Sequence, residues 1–195
     1  MKGRDAVTTA LKAMSKPVDL EAKDAIATYV NNLWNENDRG VIILNGSAIE
    51  EILEDQIRRL MPQLNSDERS YLFDFNGPIG TFSSKIRMAN ALGIISRQIY
   101  RKIDLVREMR NTCAHARQPI SFQAEPIFDA VVCLVHDLRF TLPKPDDNDG
   151  IRKTFMVACL FLMMVSLGMP LEDAHSILRK GIAKHKPASP DTPAE

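Results

Sequence analysis

The chain has 195 residues, with 25 Lys+Arg balanced by 25 Asp+Glu and a hydrophobic content of 45%. That length buries a proper core, the composition is that of an ordinary globular protein, and the charge balance excludes the global basic field of a non-specific nucleic-acid binder. The longest apolar run, Phe155 to Leu167, is too short to span ~30 Å of hydrocarbon and reads as a buried core helix. Cys113, Cys133 and Cys159 each lie in a helical apolar pattern with no C-x-x-C spacing, so they read as reduced, buried thiols. The N-terminus lacks the apolar core of a signal peptide, and the expectation is a soluble, cytoplasmic protein without membrane association.

In chain order, Asp5 to Met14 is a short helix candidate ended before Pro17, and a second helix is predicted over about Leu20 to Trp34. Ile49, Ile52, Leu53, Ile57 and Leu60 mark one face of the next helix, which Pro62 stops. It starts either near Asp38, tolerating Gly46 at about 1 kcal/mol, or at a Ser47–Glu50 capping box. The longer helix is preferred, since Val41 to Leu44 would otherwise be a strand with no partner. Its acids, Glu50, Glu51, Glu54 and Asp55, read as a solvated outer face. Ser66 to Phe73 is a short helix, and Phe75 to Gly80 is a Gly/Pro loop.

Thr81 or Ser83 then caps a helix running to Leu92 and ended by Gly93, and a long helix over about Ser96 to Ala116 follows at once. So short a connection makes the two packed neighbours. A helix is predicted from about Ile127 to Phe140, and TLPKPDDNDG (141–150) carries the strongest linker signal. A buried helix, Ile151 to Leu167, and a last helix from Pro170, capped by Gly181, complete the ordered part; the tail over 184–195 is disordered by composition. No stretch alternates as a strand does. The expectation is an all-α single multi-helix bundle over 1–183, which admits a division at 141–150 with 151–183 as a C-terminal helical pair.

The long helix has two faces. Ile99, Ile103, Val106, Met109 and Cys113 form a packing stripe, and Asp104, Glu108, Asn111 and His115 form a polar stripe on the other side. Between Asn76 and Arg117 there are eight basic residues against two acids, and Lys85, Arg87 and Arg107 are the candidate binding patch within that window. A solvated face or an acidic counterpart within the protein explains such a cluster equally well.

Gly77-Pro78-x-Gly80, Phe82-Ser83, Lys85-Ile86, Ala91-Leu92-Gly93-Ile94-Ile95, Tyr100, Val106-Arg107, Met109-Arg110-Asn111 and Ala114-His115 together resemble the mannitol operon repressor family. The ending Arg-Asn-x-x-Ala-His also resembles the HEPN superfamily of small helical proteins. The first resemblance implies an all-helical negative regulator of a sugar-alcohol uptake operon without a helix-turn-helix. The second implies a helical bundle, often dimeric, and in many members a metal-independent endoribonuclease. There, Arg110, Asn111 and His115 would fill the positions of an Arg-polar-x3-His site built from two subunits.

In the ribonuclease reading His115 moves protons, Arg110 stabilises the phosphorane, Asn111 orients the imidazole, and Asp104 and Glu108 support it. A regular helix, however, sets Arg110 about 140° around the axis from His115, so the two share a phosphate only if the helix breaks or a second subunit contributes. The structural alternative has His115 cap the helix C-terminus and Arg110 pair with an acid of another helix. That use, or a binding one, is favoured over catalysis. Gly77, Pro78 and Gly80 are expected to pack the bundle end, since the Gly-Lys-Ser/Thr of a P-loop is missing. His136, His175 and His185 lack metal-site spacing, and neither a metal nor a cofactor is expected. A protein partner or a homodimer is the expected interaction, and RNA is the alternative; the charge balance and the lack of a recognition-helix motif disfavour direct DNA binding.

Overall fold

A computed structural model describes residue 29, residues 32–138, residue 140 and residues 144–184, the last five as backbone. The helix expected over 5–14, most of the one over 20–34 and the tail lie outside the described residues. The helices are α1 (Asp38–Arg59), α2 (Ser66–Phe73), α3 (Phe82–Ala91), α4 (Arg97–His115), α5 (Glu125–Val135), α6 (Asn148–Ser166) and α7 (Leu171–Lys184). Among the described residues there is no strand, and the fold is all-helical.

Local chemistry explains most of the boundaries. The Asn37 side chain accepts from the Gly40 amide and opens α1 near Asp38, so the long form of this helix is the one observed. α2 opens on a full capping box between Asn65 and Glu68. Thr81 caps α3 and Ser96 caps α4, with Gly93 between them at φ +73°, a conformation that costs glycine little. Two predicted ends are corrected. α5 stops at Val135, short of Phe140, because Asp137 turns to φ +66° and the Lys102 ammonium takes the carbonyls of Cys133 and His136 at 2.8 and 2.7 Å. α7 does not stop at Gly181 but runs through it to Lys184.

α1 is the central helix, buried along Val41, Ile42, Ile49, Ile52, Leu53 and Ile57. α4 packs antiparallel to it: Arg39 donates to the Ala116 carbonyl at one end, and Arg110 lies against Gly46 further along. α3 runs parallel to α1 and antiparallel to α4, with Phe82 beside Arg110 and Lys85 beside Glu50 and Glu54. α6 runs parallel to α1 on its other side and buries Phe155, Cys159, Phe161 and Leu162 completely. Phe122, from the loop before α5, packs against Phe155 with ring centroids 5.4 Å apart and the rings tilted by 46°. Phe161, Phe140 and His175 form a second aromatic cluster that joins α6 to α7.

One buried ion pair locks the start of this arrangement. Arg152 of α6 bonds Asp38 at 3.0 Å and donates to the carbonyls of Leu33, Trp34 and Glu36, while Asp38 also accepts from the Phe122 amide and from Asn148. The Arg152–Asp38 pair thus joins three chain segments, the stretch over 33–38, the loop at Phe122 and the start of α6. The Arg152→Ala variant should lose roughly 3–5 kcal/mol of unfolding free energy in urea titrations, because Asp38 and the carbonyls stay buried without it. The exposed neighbour Lys153→Ala should change it by less than about 0.5 kcal/mol.

Candidate functional site

The loop after α2 sets the geometry of the conspicuous stretch. A Cβ at Gly77 would collide with the Tyr71 carbonyl and come within 2.6 Å of the Leu72 oxygen; at Gly80 it would collide with the Asp74 carbonyl. The Gly77-Pro78-Ile79-Gly80 turn therefore folds flat against the end of α2, with the Ile79 amide bonded to the Leu72 carbonyl at 2.8 Å. Ile79 points inward and Phe75 outward, the latter 85% exposed.

On α3, Phe82, Lys85, Ile86 and Ala89 are the buried positions, so Lys85 lies within the apolar face. Its ammonium binds Glu50 at 2.9 Å and Glu54 at 2.8 Å. Glu54 also holds Arg58 at 2.7 Å, and the second oxygen of Glu50 holds Arg110 of α4 at 3.1 Å. The Arg110 stem crosses Gly46, where a Cβ would be 3.0–3.2 Å from it, and its guanidinium lies 5.7 Å from the Phe82 ring centre. Two carboxylates of α1 thus gather cations from α1, α3 and α4. Burial alone would raise the Glu54 carboxyl, but hydrogen bonds from Lys85 and Arg58 outweigh it and hold the group below the ordinary carboxylate value. Burial would likewise lower Lys85, and its bonds to Glu54 and Glu50 outweigh that and raise it.

This arrangement corrects two expectations. Glu50 and Glu54 are not a solvated face but half-buried partners; of the four acids expected there, Glu51 is also half-buried and Asp55 is exposed. Lys85, Arg87 and Arg107 do not form one patch. Lys85 is buried, Arg107 bonds Asp104 at 2.6 Å and Glu108 at 3.3 Å on its own helix, and Arg87 is exposed. The bond to Asp104, ahead of the smaller opposing effect of burial, raises Arg107 above its ordinary value.

The Arg110, Asn111 and His115 positions separate in the same way. α4 stays helical to His115 and is capped at Ala116, so no break turns Arg110 toward the histidine. Asn111 and His115 are exposed on the outer side, whereas Arg110 faces Glu50. Cys113 and Cys159 are buried thiols raised by burial, whereas Cys133 is exposed, against expectation; all three are free. Among the described residues no group of His, Cys, Asp or Glu has the arrangement of a metal site, and no helix is long and apolar enough to cross a membrane.

Sequence reasoning expected Arg110 to pair with an acid of another helix, as it does with Glu50, but missed the part of Lys85 in that cluster and the Asp38–Arg152 pair. The first was within reach: Lys85 falls three residues after Phe82, next to Ile86 and four before Ala89, in the middle of an apolar face. Arg152 offered a weaker signal, as an arginine inside the first turns of the helix with the longest apolar run.

An all-helical protein with a buried ionic centre and an outward polar stripe is the class that the fold defines. The family described as MtlR, mannitol repressor, matches residues 30–156, and the chain belongs to that family. Among solved structures the fold is similar to that in the X-ray structure of the MtlR–HPr complex from Escherichia coli, with a TM-score of 0.60, 16% sequence identity, and coverage of 83% of this chain and 99% of that one. Among curated proteins no relative matches.

The ionic centre predicts a pH profile. Glu54, lowered on folding, contributes stability that is complete above its unfolded value of 4.5 and is lost as pH falls through its folded value. Lys85, raised on folding, contributes stability that is complete below 10.5 and is lost as pH rises through its folded value. The stability advantage of wild type over Lys85→Met should therefore be largest between those limits and shrink on both sides; a pH-independent difference in urea titrations would contradict it. Gly80→Ala should cost about 1–3 kcal/mol or more in the same assay, because backbone occupies the space that its methyl needs.

Proposed function

We propose that this protein is a negative regulator of a sugar-alcohol uptake operon that acts through protein contacts, with an HPr-type protein as a partner. The observation that carries the proposal is the family match over residues 30–156, supported by a fold that aligns with nearly the whole MtlR chain of a complex with HPr. The balance of 25 basic and 25 acidic residues fits regulation without a DNA-binding domain of its own. The position of Arg110 weighs against the ribonuclease alternative. Its guanidinium is held by Glu50 and its stem by Gly46, on the side of a regular helix away from His115.

Two measurements test this. Deleting the gene should raise transcripts of a sugar-alcohol uptake operon several-fold, and unchanged transcripts would end the regulatory reading. Titration calorimetry of the full chain with HPr from the same organism should give a saturable 1:1 isotherm, and its absence would remove HPr as the partner. On induction, wild type and His115→Ala should allow equal growth with intact total RNA; toxicity that His115→Ala relieves would restore the ribonuclease.

A further inference from the structure

The chain contains two Asn–Gly steps, Asn45–Gly46 and Asn76–Gly77, and the fold sets them in opposite surroundings. An asparagine followed by glycine is the least hindered case of one backbone reaction. The glycine amide nitrogen, with no Cβ beside it, bonds to the side-chain Cγ of the asparagine and expels ammonia. Water then opens the resulting succinimide at either carbonyl and leaves aspartate or isoaspartate. One water is consumed, one ammonia is released, and nothing is oxidised or reduced.

Asn45 and Gly46 are buried in the middle of α1. The Asn45 side chain donates to the Val41 carbonyl at 2.9 Å and accepts from the Tyr29 hydroxyl at 3.3 Å, so both ends of its amide are held. Asn76 is exposed in the turn after α2, and its side chain has no hydrogen-bond partner among the described residues. The electrophile is therefore free, but the nucleophile is not. The Gly77 N–H donates to the Asp74 carbonyl at 2.7 Å. Attack requires base to remove that N–H proton, as backbone hydrogen exchange does, so the bond has to open first. Neighbouring bonds keep the turn closed: the Ile79 amide on the Leu72 carbonyl at 2.8 Å, and the Gly80 amide on the Gly77 carbonyl at 3.0 Å. The Ile79 side chain is buried beneath them.

We propose that Asn76 is a deamidation site of this protein and that the turn after α2 gates it, so that modification proceeds through local opening of the turn. The isoaspartate product does not return to the native turn. It inserts a methylene into the main chain beside Gly77, where the carbonyl oxygens of Tyr71 and Leu72 leave no room even for a Cβ. Each modification thus adds a negative charge and unpins the connection between α2 and α3 for good.

The full wild-type chain, aged at mildly alkaline pH with and without about 8 M urea, tests this by peptide mapping and mass spectrometry. In urea the two asparagines should react at rates within about threefold of each other, because both steps are then open chain. Without urea Asn76 should accumulate product at least about tenfold more slowly than in urea, by the same factor that protects the Gly77 amide from hydrogen exchange. Asn45 should be slower still. The isoaspartate form, separated by anion exchange, should have lost the hydrogen-exchange protection of the Ile79 amide. An Asn76 that reacts as fast in buffer as in urea overturns the gate, and so does an isoaspartate form that keeps the Ile79 amide protected. Native chains in which Asn45 is modified first, or in which Asn76 stays intact, overturn the site.

Discussion

The fold depends on two carboxylates of one helix. Glu50 and Glu54 project from α1 into the seam with α3 and α4, where they gather Lys85, Arg58 and Arg110. A buried ion cluster adds little net stability over a well-packed apolar seam, but removing one member strands the others in a poor solvent. The cluster therefore acts mainly as a register device. α3 and α4 fit α1 only where Lys85 lies between the two glutamates and Arg110 crosses Gly46. At the N-terminal end of α1 the Asp38–Arg152 pair imposes the same condition on α6. Apolar surface supplies the bulk of the folding free energy, and these pairs select which of several helix registers it stabilises.

This division explains what was legible in the sequence. Helix identity, the Thr81 cap, the apolar face of α4 and that of α1 as far as Ile57 were readable, because periodicity and capping chemistry act over a few residues; Leu60, expected on the same face, lies past the helix end and is exposed. Ile99, Ile103, Val106, Met109 and Cys113 are all buried as their spacing predicts. The ends of α5 and α7 were not readable. α5 stops where a lysine from α4 takes its carbonyls, a tertiary contact that no local window contains. The charged residues were misassigned for the same reason. A one-dimensional count of basic residues joins Lys85, Arg87 and Arg107 into one patch, whereas three dimensions bury Lys85 against Glu50 and Glu54, pair Arg107 with Asp104 and leave Arg87 exposed.

In the Arg110-Asn111-His115 ending the arginine and the histidine are set apart on one chain. An arginine and a histidine five positions apart on an unbroken helix face different surroundings. Here the arginine faces α1 and the histidine faces outward. A cation already neutralised by Glu50 and sterically held by Gly46 is a poor clamp for a phosphate. Arg110 instead ties α4 to α1.

The central claim, that Arg110 belongs to the ionic centre of the fold, is tested most directly by a double-mutant cycle in urea unfolding. The cycle comprises Glu50→Gln, Arg110→Met and the pair. A coupling energy of roughly 0.5–3 kcal/mol is expected, with the double variant less destabilised than the sum of the singles. Strictly additive effects would show that Arg110 and Glu50 do not act together, and would free the arginine for another role.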